Sequence, residues 1–197
     1  MITKEIDVYF IAGQSNAAGY SQVGYLTCSE EQKTEYMTGY SNVWYRGKAD
    51  NNEVVEYDTV TKLGQGRYSG EFGPELGMAE YLTEKSPDRQ SVILKRAVGG
   101  SYLIDNQTSS VSLASGNWCP PSKRTASAKQ NLTGKIYDEF VTIVEESVAY
   151  YKTQGYEVNL CGTFWMQGEA EADGSYKQLG GYDTHLKALI SDLRNDY

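Results

Sequence analysis

Apolar residues recur along this chain in two rhythms. Asp7-Val8-Tyr9-Phe10-Ile11-Ala12 is a short apolar run stopped by Gly13, and it reads as a buried strand. Ser91 to Val98, stopped by Gly99-Gly100, and Val158 to Met166 are two more such runs. Asn42-Val43-Trp44-Tyr45-Arg46 is a weaker strand. After the turn-rich stretch from Gly47 to Asn52, Glu53-Val54-Val55-Glu56-Tyr57 is expected to return as a hairpin arm. Elsewhere the spacing is helical. Gly73-Pro74 opens a helix that buries Leu76, Ala79 and Leu82 and ends at Ser86-Pro87. Ile136, Phe140, Ile143, Val144, Val148 and Tyr151 form a stripe that stops near Gly155, and Tyr182, Leu186, Leu189, Ile190 and Leu193 share a face of a last helix. Strands thus alternate with helices, which predicts an α/β sandwich on a mainly parallel sheet. The polar stretch from Ser101 to about Gly134, with Trp118-Cys119-Pro120-Pro121 inside it, is long enough that a functional role is expected of it.

Size and charge narrow the picture. At 197 residues and 40% hydrophobic content the chain makes one domain with a real core. A net charge of −8 excludes nucleic acid and anionic membrane as partners, since both require basic surface. Cys28, Cys119 and Cys161 are scattered, so neither a disulfide framework nor a zinc site is expected. His185 is the single histidine, which excludes a histidine-rich metal site. No apolar signal region opens the chain and no run reaches membrane-spanning length, so a cytoplasmic protein is expected.

In parallel sheets, sites form at the carboxyl ends of strands. Three ends here pair a glycine with a polar side chain: Gly13-Gln14-Ser15-Asn16, Gly99-Gly100-Ser101 and Gln167-Gly168-Glu169. Taken alone, Ser15 is either a nucleophile or the cap of the following helix. Ile11-Ala12-Gly13-Gln14-Ser15-Asn16-Ala17-Ala18-Gly19 resembles the first block of the SGNH hydrolases, in the version of the sialate O-acetylesterases and some acetylxylan esterases. Phe72-Gly73-Pro74-Glu75-Leu76-Gly77, Ala97-Val98-Gly99-Gly100-Ser101 and Trp165-Met166-Gln167-Gly168-Glu169 resemble later blocks, in the family's order.

The resemblance implies a three-layer α/β/α sandwich with a flavodoxin-like sheet. It implies a serine esterase that needs no cofactor and acts on a small acylated carbohydrate. Ser15 would be the nucleophile, and the oxyanion would be met by the N–H groups of Ser15 and Gly100 and the amide of Gln167. Glu169 would either orient a catalytic histidine or support the serine loop, and both roles stay open. Ala170 and Glu171 depart from the family's Ser-Asp continuation. Arg96, before the glycine turn, either holds structure or helps to bind an anionic substrate, and the structural role is the one expected. The family's base is the histidine of an Asp-x-x-His motif, and no such motif occurs here. His185 is expected to pack or face solvent. Residues 1–197 are therefore expected to form a single domain, C-terminally incomplete, lacking the last strand, with the base beyond Tyr197. Two alternatives remain: a non-catalytic carbohydrate-binding or interaction domain, and an esterase that uses His185 as base. The oligomeric state is left open.

Overall fold

The structure, a computed structural model, describes residues 4–50, 52–104, 116–125, 132–172 and 181–197. The elements run β1 (Lys4–Gly13), α1 (Ser15–Ala18), β2 (Ser21–Gln22), α2 (Glu30–Thr38), β3 (Tyr40–Ala49), β4 (Thr59–Thr61), β5 (Glu71–Phe72), α3 (Pro74–Lys85), β6 (Gln90–Ala97), α4 (Lys135–Thr153), β7 (Tyr156–Met166), α5 (Glu169–Ala172) and α6 (Tyr182–Asp196). The main sheet has the order β4-β3-β6-β1-β7. β3, β6, β1 and β7 are parallel, and β4 runs antiparallel to β3. Parts of the long polar stretch, 105–115 and 126–131, lie outside the described residues.

Strand side chains point alternately to the two faces, and this divides the core in two. Ile6, Val8, Phe10 and Ala12 of β1, with Val92 and Leu94 of β6, pack against Ile136, Phe140, Ile143 and Val144 of α4 and Leu189 of α6. Ile11 and Ile93, from the same strands, pack with Val43 and Tyr45 against Tyr36 of α2 and Leu76, Ala79 and Leu82 of α3. The expected α/β/α sandwich is thus what the chain forms. Among the described residues no helix is long and apolar enough to cross a membrane.

The hairpin arm is corrected. Residues 52–58 form no strand, and the return pairing comes later, at Thr59–Thr61. Arg46 accounts for the detour. Its guanidinium stacks 3.8 Å from the ring centre of Tyr57, donates to Val55 O at 3.2 Å, and pairs with Glu146 of α4 at 2.9 Å. Val54 and Tyr57 are thereby drawn onto the α4 face as packing, and Tyr57 stacks on Tyr150 at 3.8 Å. A run that looks like a strand is used as a cover.

Arg89 anchors the entry to β6. It donates to both carboxylate oxygens of Asp7, at 3.0 and 2.7 Å, and Asn159 adds a third bond at 3.1 Å. The hydrogen bonds from Arg89 hold the Asp7 carboxyl below its ordinary value, against the opposing effect of burial. A depressed carboxylate stabilises the fold above its unfolded-state pKa, and that stabilisation is lost as pH falls through the folded value. Asp7→Asn is therefore expected to flatten the acid limb of a urea-midpoint profile below about pH 4. Parallel profiles for the two proteins would show that this pair contributes nothing to acid sensitivity.

Candidate active site

The register brings the three glycine-bearing turns together. Gly13 at the end of β1 pairs with Ala97 of β6 on one side and Met166 of β7 on the other. The turns that follow these three residues therefore leave the same edge of the sheet, side by side. Gly13 O accepts from Val98 N at 3.1 Å and from Trp118 Nε1 at 3.1 Å, while Gln14 N donates to Met166 O at 2.9 Å. Gly13 has φ 146°, and a Cβ there would stand 2.0 Å from Met166 O. Only glycine permits this crossing.

Ser15 is the first residue of α1, a single turn closed by Ala18 N to Gln14 O at 2.8 Å and Gly19 N to Ser15 O at 3.0 Å. The serine is half-buried, its neighbour Gln14 is buried, and Asn16 is exposed. No described residue accepts a hydrogen bond from the backbone N–H of Ser15. The same holds for Gly100, which turns the chain after β6 with φ 66°. That turn is held from below by Asp50, whose Oδ1 accepts from Gly99 N at 2.6 Å and whose Oδ2 accepts from Tyr20 Oη at 2.9 Å. Burial first, and then the Asp50 carboxylate, push the Tyr20 hydroxyl above its ordinary pKa, so it remains a donor.

Gln167 follows β7. Its Nε2 donates to Glu171 Oε2 at 2.5 Å, Ser101 O at 3.0 Å and Gln14 Oε1 at 3.4 Å. The amide thus stands among the three turns, with both N–H groups engaged by protein acceptors. Glu169 sits one residue past Gly168 and accepts from Asn16 Nδ2 at 2.6 Å. This contact ties the exit of β7 to the serine turn. Arg96 is buried and donates to Glu139, Asp50 O and Ala97 O, which is structural work, as expected.

His185 lies in α6. Its Nδ1 is 2.9 Å from Gly181 O, and among the described residues no hydrogen bond joins it to Ser15. Among the described residues no group of three or more His, Cys, Asp or Glu side chains could hold a metal ion.

Sequence reasoning left three supporting side chains unassigned. Gln14 Oε1 accepts from Ala170 N at 3.2 Å as well as from Gln167. Glu171 Oε1 accepts from Leu103 N at 2.5 Å and Ile104 N at 3.1 Å, so one carboxylate spans the β6 and β7 turns. Tyr182 Oη donates to Gln167 O at 2.6 Å and accepts from Trp165 Nε1 at 3.2 Å.

Gly13→Ala tests the crossing. Left-handed-side strain and overlap with Met166 O together should cost about 3 kcal/mol or more. The measurement is a urea melt. An unchanged midpoint would mean that the β1–β7 approach is looser than described.

Two solved structures share the fold. NanS superposes with a TM-score of 0.59 at 17% identity, over 100% of this chain and 63% of its own. A protein from Arabidopsis thaliana superposes with a TM-score of 0.55 at 16% identity, over 96% of this chain and 68% of its own. The chain thus spans about two thirds of the length of each. No curated protein matches by sequence. The family described as carbohydrate esterase, sialic acid-specific acetylesterase matches residues 5–197, and with nearly the whole chain inside that match, this protein belongs to the carbohydrate esterase family of sialic acid-specific acetylesterases.

Proposed function

We propose that the protein removes O-acetyl groups from a carbohydrate through an acetyl-enzyme on Ser15. The observation that carries this reading is the convergence of three turns on Ser15, with the N–H groups of Ser15 and Gly100 left without described acceptors. Such N–H groups are what a tetrahedral oxyanion requires.

In this reading Ser15 Oγ attacks the acetyl carbonyl and its proton passes to a general base. The carbonyl oxygen gains the negative charge and is met by Ser15 N–H and Gly100 N–H. Gln167 is the third donor: one N–H moves from the neutral Ser101 carbonyl to the oxyanion, because a charged acceptor makes the stronger bond. Collapse expels the sugar hydroxyl, which recovers a proton, and leaves an acetyl ester on Ser15. Water then repeats the sequence and releases acetate. Glu169, through Asn16, holds the serine turn rather than a histidine. His185 is not assigned as the base, because among the described residues no hydrogen bond joins either of its ring nitrogens to Ser15, and the one contact of its Nδ1 is to the Gly181 carbonyl. No cofactor enters, and the site is contained in one domain.

Acetylation by 4-nitrophenyl acetate, located by mass spectrometry, is expected on Ser15, and O-acetylated sialic acid should release acetate. Ser15→Ala should abolish both with an unchanged melting temperature. Gln167→Ala should slow acetylation by about 10²–10³-fold. Acetylation at another residue, or full activity in Ser15→Ala, would sink the assignment. Without a base, the oxyanion donors alone still leave about 10³–10⁴ over water, so a slow rate is compatible with the reading. His185→Gln is expected to leave that rate unchanged, and a large fall with unchanged stability would make His185 the base.

A further inference from the structure

Beneath the serine turn lies a charged pair that the proposed chemistry does not use. Lys95 of β6 and Glu75 of α3 are both 0% exposed, with Nζ 2.7 Å from Oε2. Burial pushes the Lys95 ammonium below its ordinary pKa, while the Glu75 carboxylate pulls it back. For stability alone such a pair has little advantage. Removing two charges from water costs several kcal/mol per ion, and an apolar pair of equal volume serves a core as well or better.

What an apolar pair could not do is donate. Lys95 Nζ also reaches Ala18 O at 3.0 Å and Gln65 O at 3.4 Å. Ala18 ends the single turn that begins at Ser15, and it is 0% exposed. Its carbonyl is one of those that a helix end leaves without an intrahelical partner, and a buried acceptor of this kind needs a donor from elsewhere in the fold. Glu75 completes the clamp, since its Oε1 accepts from Gly73 N at 2.8 Å. Gly73 in turn packs on Gly19, where a Cβ would lie 2.7 Å from Gly73 Cα.

We infer that Lys95, oriented by Glu75, is a positioning residue for the nucleophile: it holds the C-terminal carbonyl of the Ser15–Ala18 turn and so sets where the serine hydroxyl stands. This rests on the esterase reading of Ser15. Ser15 itself sits at the far end of the turn, so a turn free to rock would keep the substrate site but misplace the attacking oxygen. Displacement of about 1 Å is enough to cost roughly 10²-fold.

The test compares Lys95→Met, which strands the Glu75 carboxylate and should lower the melting temperature, with Lys95→Met/Glu75→Gln, which removes both charges and keeps an acceptor for Gly73 N. The double variant should recover part of that stability, the rest being lost with the donor to the buried Ala18 carbonyl. It should nevertheless acetylate Ser15 about 10- to 100-fold more slowly at saturating 4-nitrophenyl acetate, with half-saturation within about twofold of the parent. Hydrogen exchange at the Ala18 and Gly19 amides should rise about tenfold or more, with β1 and β6 amides unchanged. Parental exchange at those amides overturns the clamp. Raised exchange with a parental acetylation rate overturns the positioning role. A parental rate in Ser15→Ala would sink the esterase reading instead, and the exchange measurement would still decide whether Lys95 holds the turn.

Discussion

Gly13 is the position on which the rest of the site depends. Three backbones meet there: its carbonyl takes hydrogen bonds from Val98 and Trp118, and Met166 O lies where a Cβ would be. Because β1 is the middle of the three strands, its exit determines the other two. Close approach on the β7 side lets Gln14 N reach Met166 O, and this starts the serine turn within reach of Gln167. A side chain at this point would part the strands at the very edge where the polar groups gather.

Polar groups buried at such an edge must satisfy one another. Gln14 bonds Gln167 and Ala170 across more than 150 residues and ties the β1 turn to the β7 exit, while Gln167 and Glu171 tie the β7 exit to the β6 turn. A network of this kind rigidifies a site because each member fixes the orientation of the next. Trp118 adds an apolar prop: its ring meets Trp165 edge-on at 5.1 Å, while its indole N–H holds Gly13. The long polar stretch therefore contributes to the site through this residue.

β6 carries two consecutive buried cations, and strand alternation sends them to opposite faces. Lys95 points toward α3 and Glu75, Arg96 toward α4 and Glu139. Each helix layer is thus registered on the central sheet by one charge pair as well as by apolar packing. Apolar contacts tolerate sliding, whereas a buried cation accepts few positions. This explains how a strand that reads as a plain apolar run can accommodate Lys-Arg just before the glycine turn.

Much of the fold was legible in the chain itself, because apolar periodicity is a local property. β1, β6 and β7, and the helices α3, α4 and α6, fall where the runs and stripes place them, and the order of strands and helices implies the sandwich. α2 was not legible: Tyr36 alone is buried there, so no stripe marks it, and it is held by the Ser29 cap and by the bonds from Tyr36 to Glu80. The segment 53–57 misled because its apolar residues serve packing: Val54 and Tyr57 lie against the α4 core and Tyr57 against Arg46, while Val55 packs on the opposite core. At the site, the glycine-polar turns after three strands were legible as candidates. What only tertiary structure decided was which atoms face which: that Glu169 bonds Asn16, that Glu171 spans two turns, and that Lys95 lies under the serine turn. Those contacts join residues from distant parts of the chain, and nothing local in a sequence encodes a meeting that only the register of a folded sheet brings about.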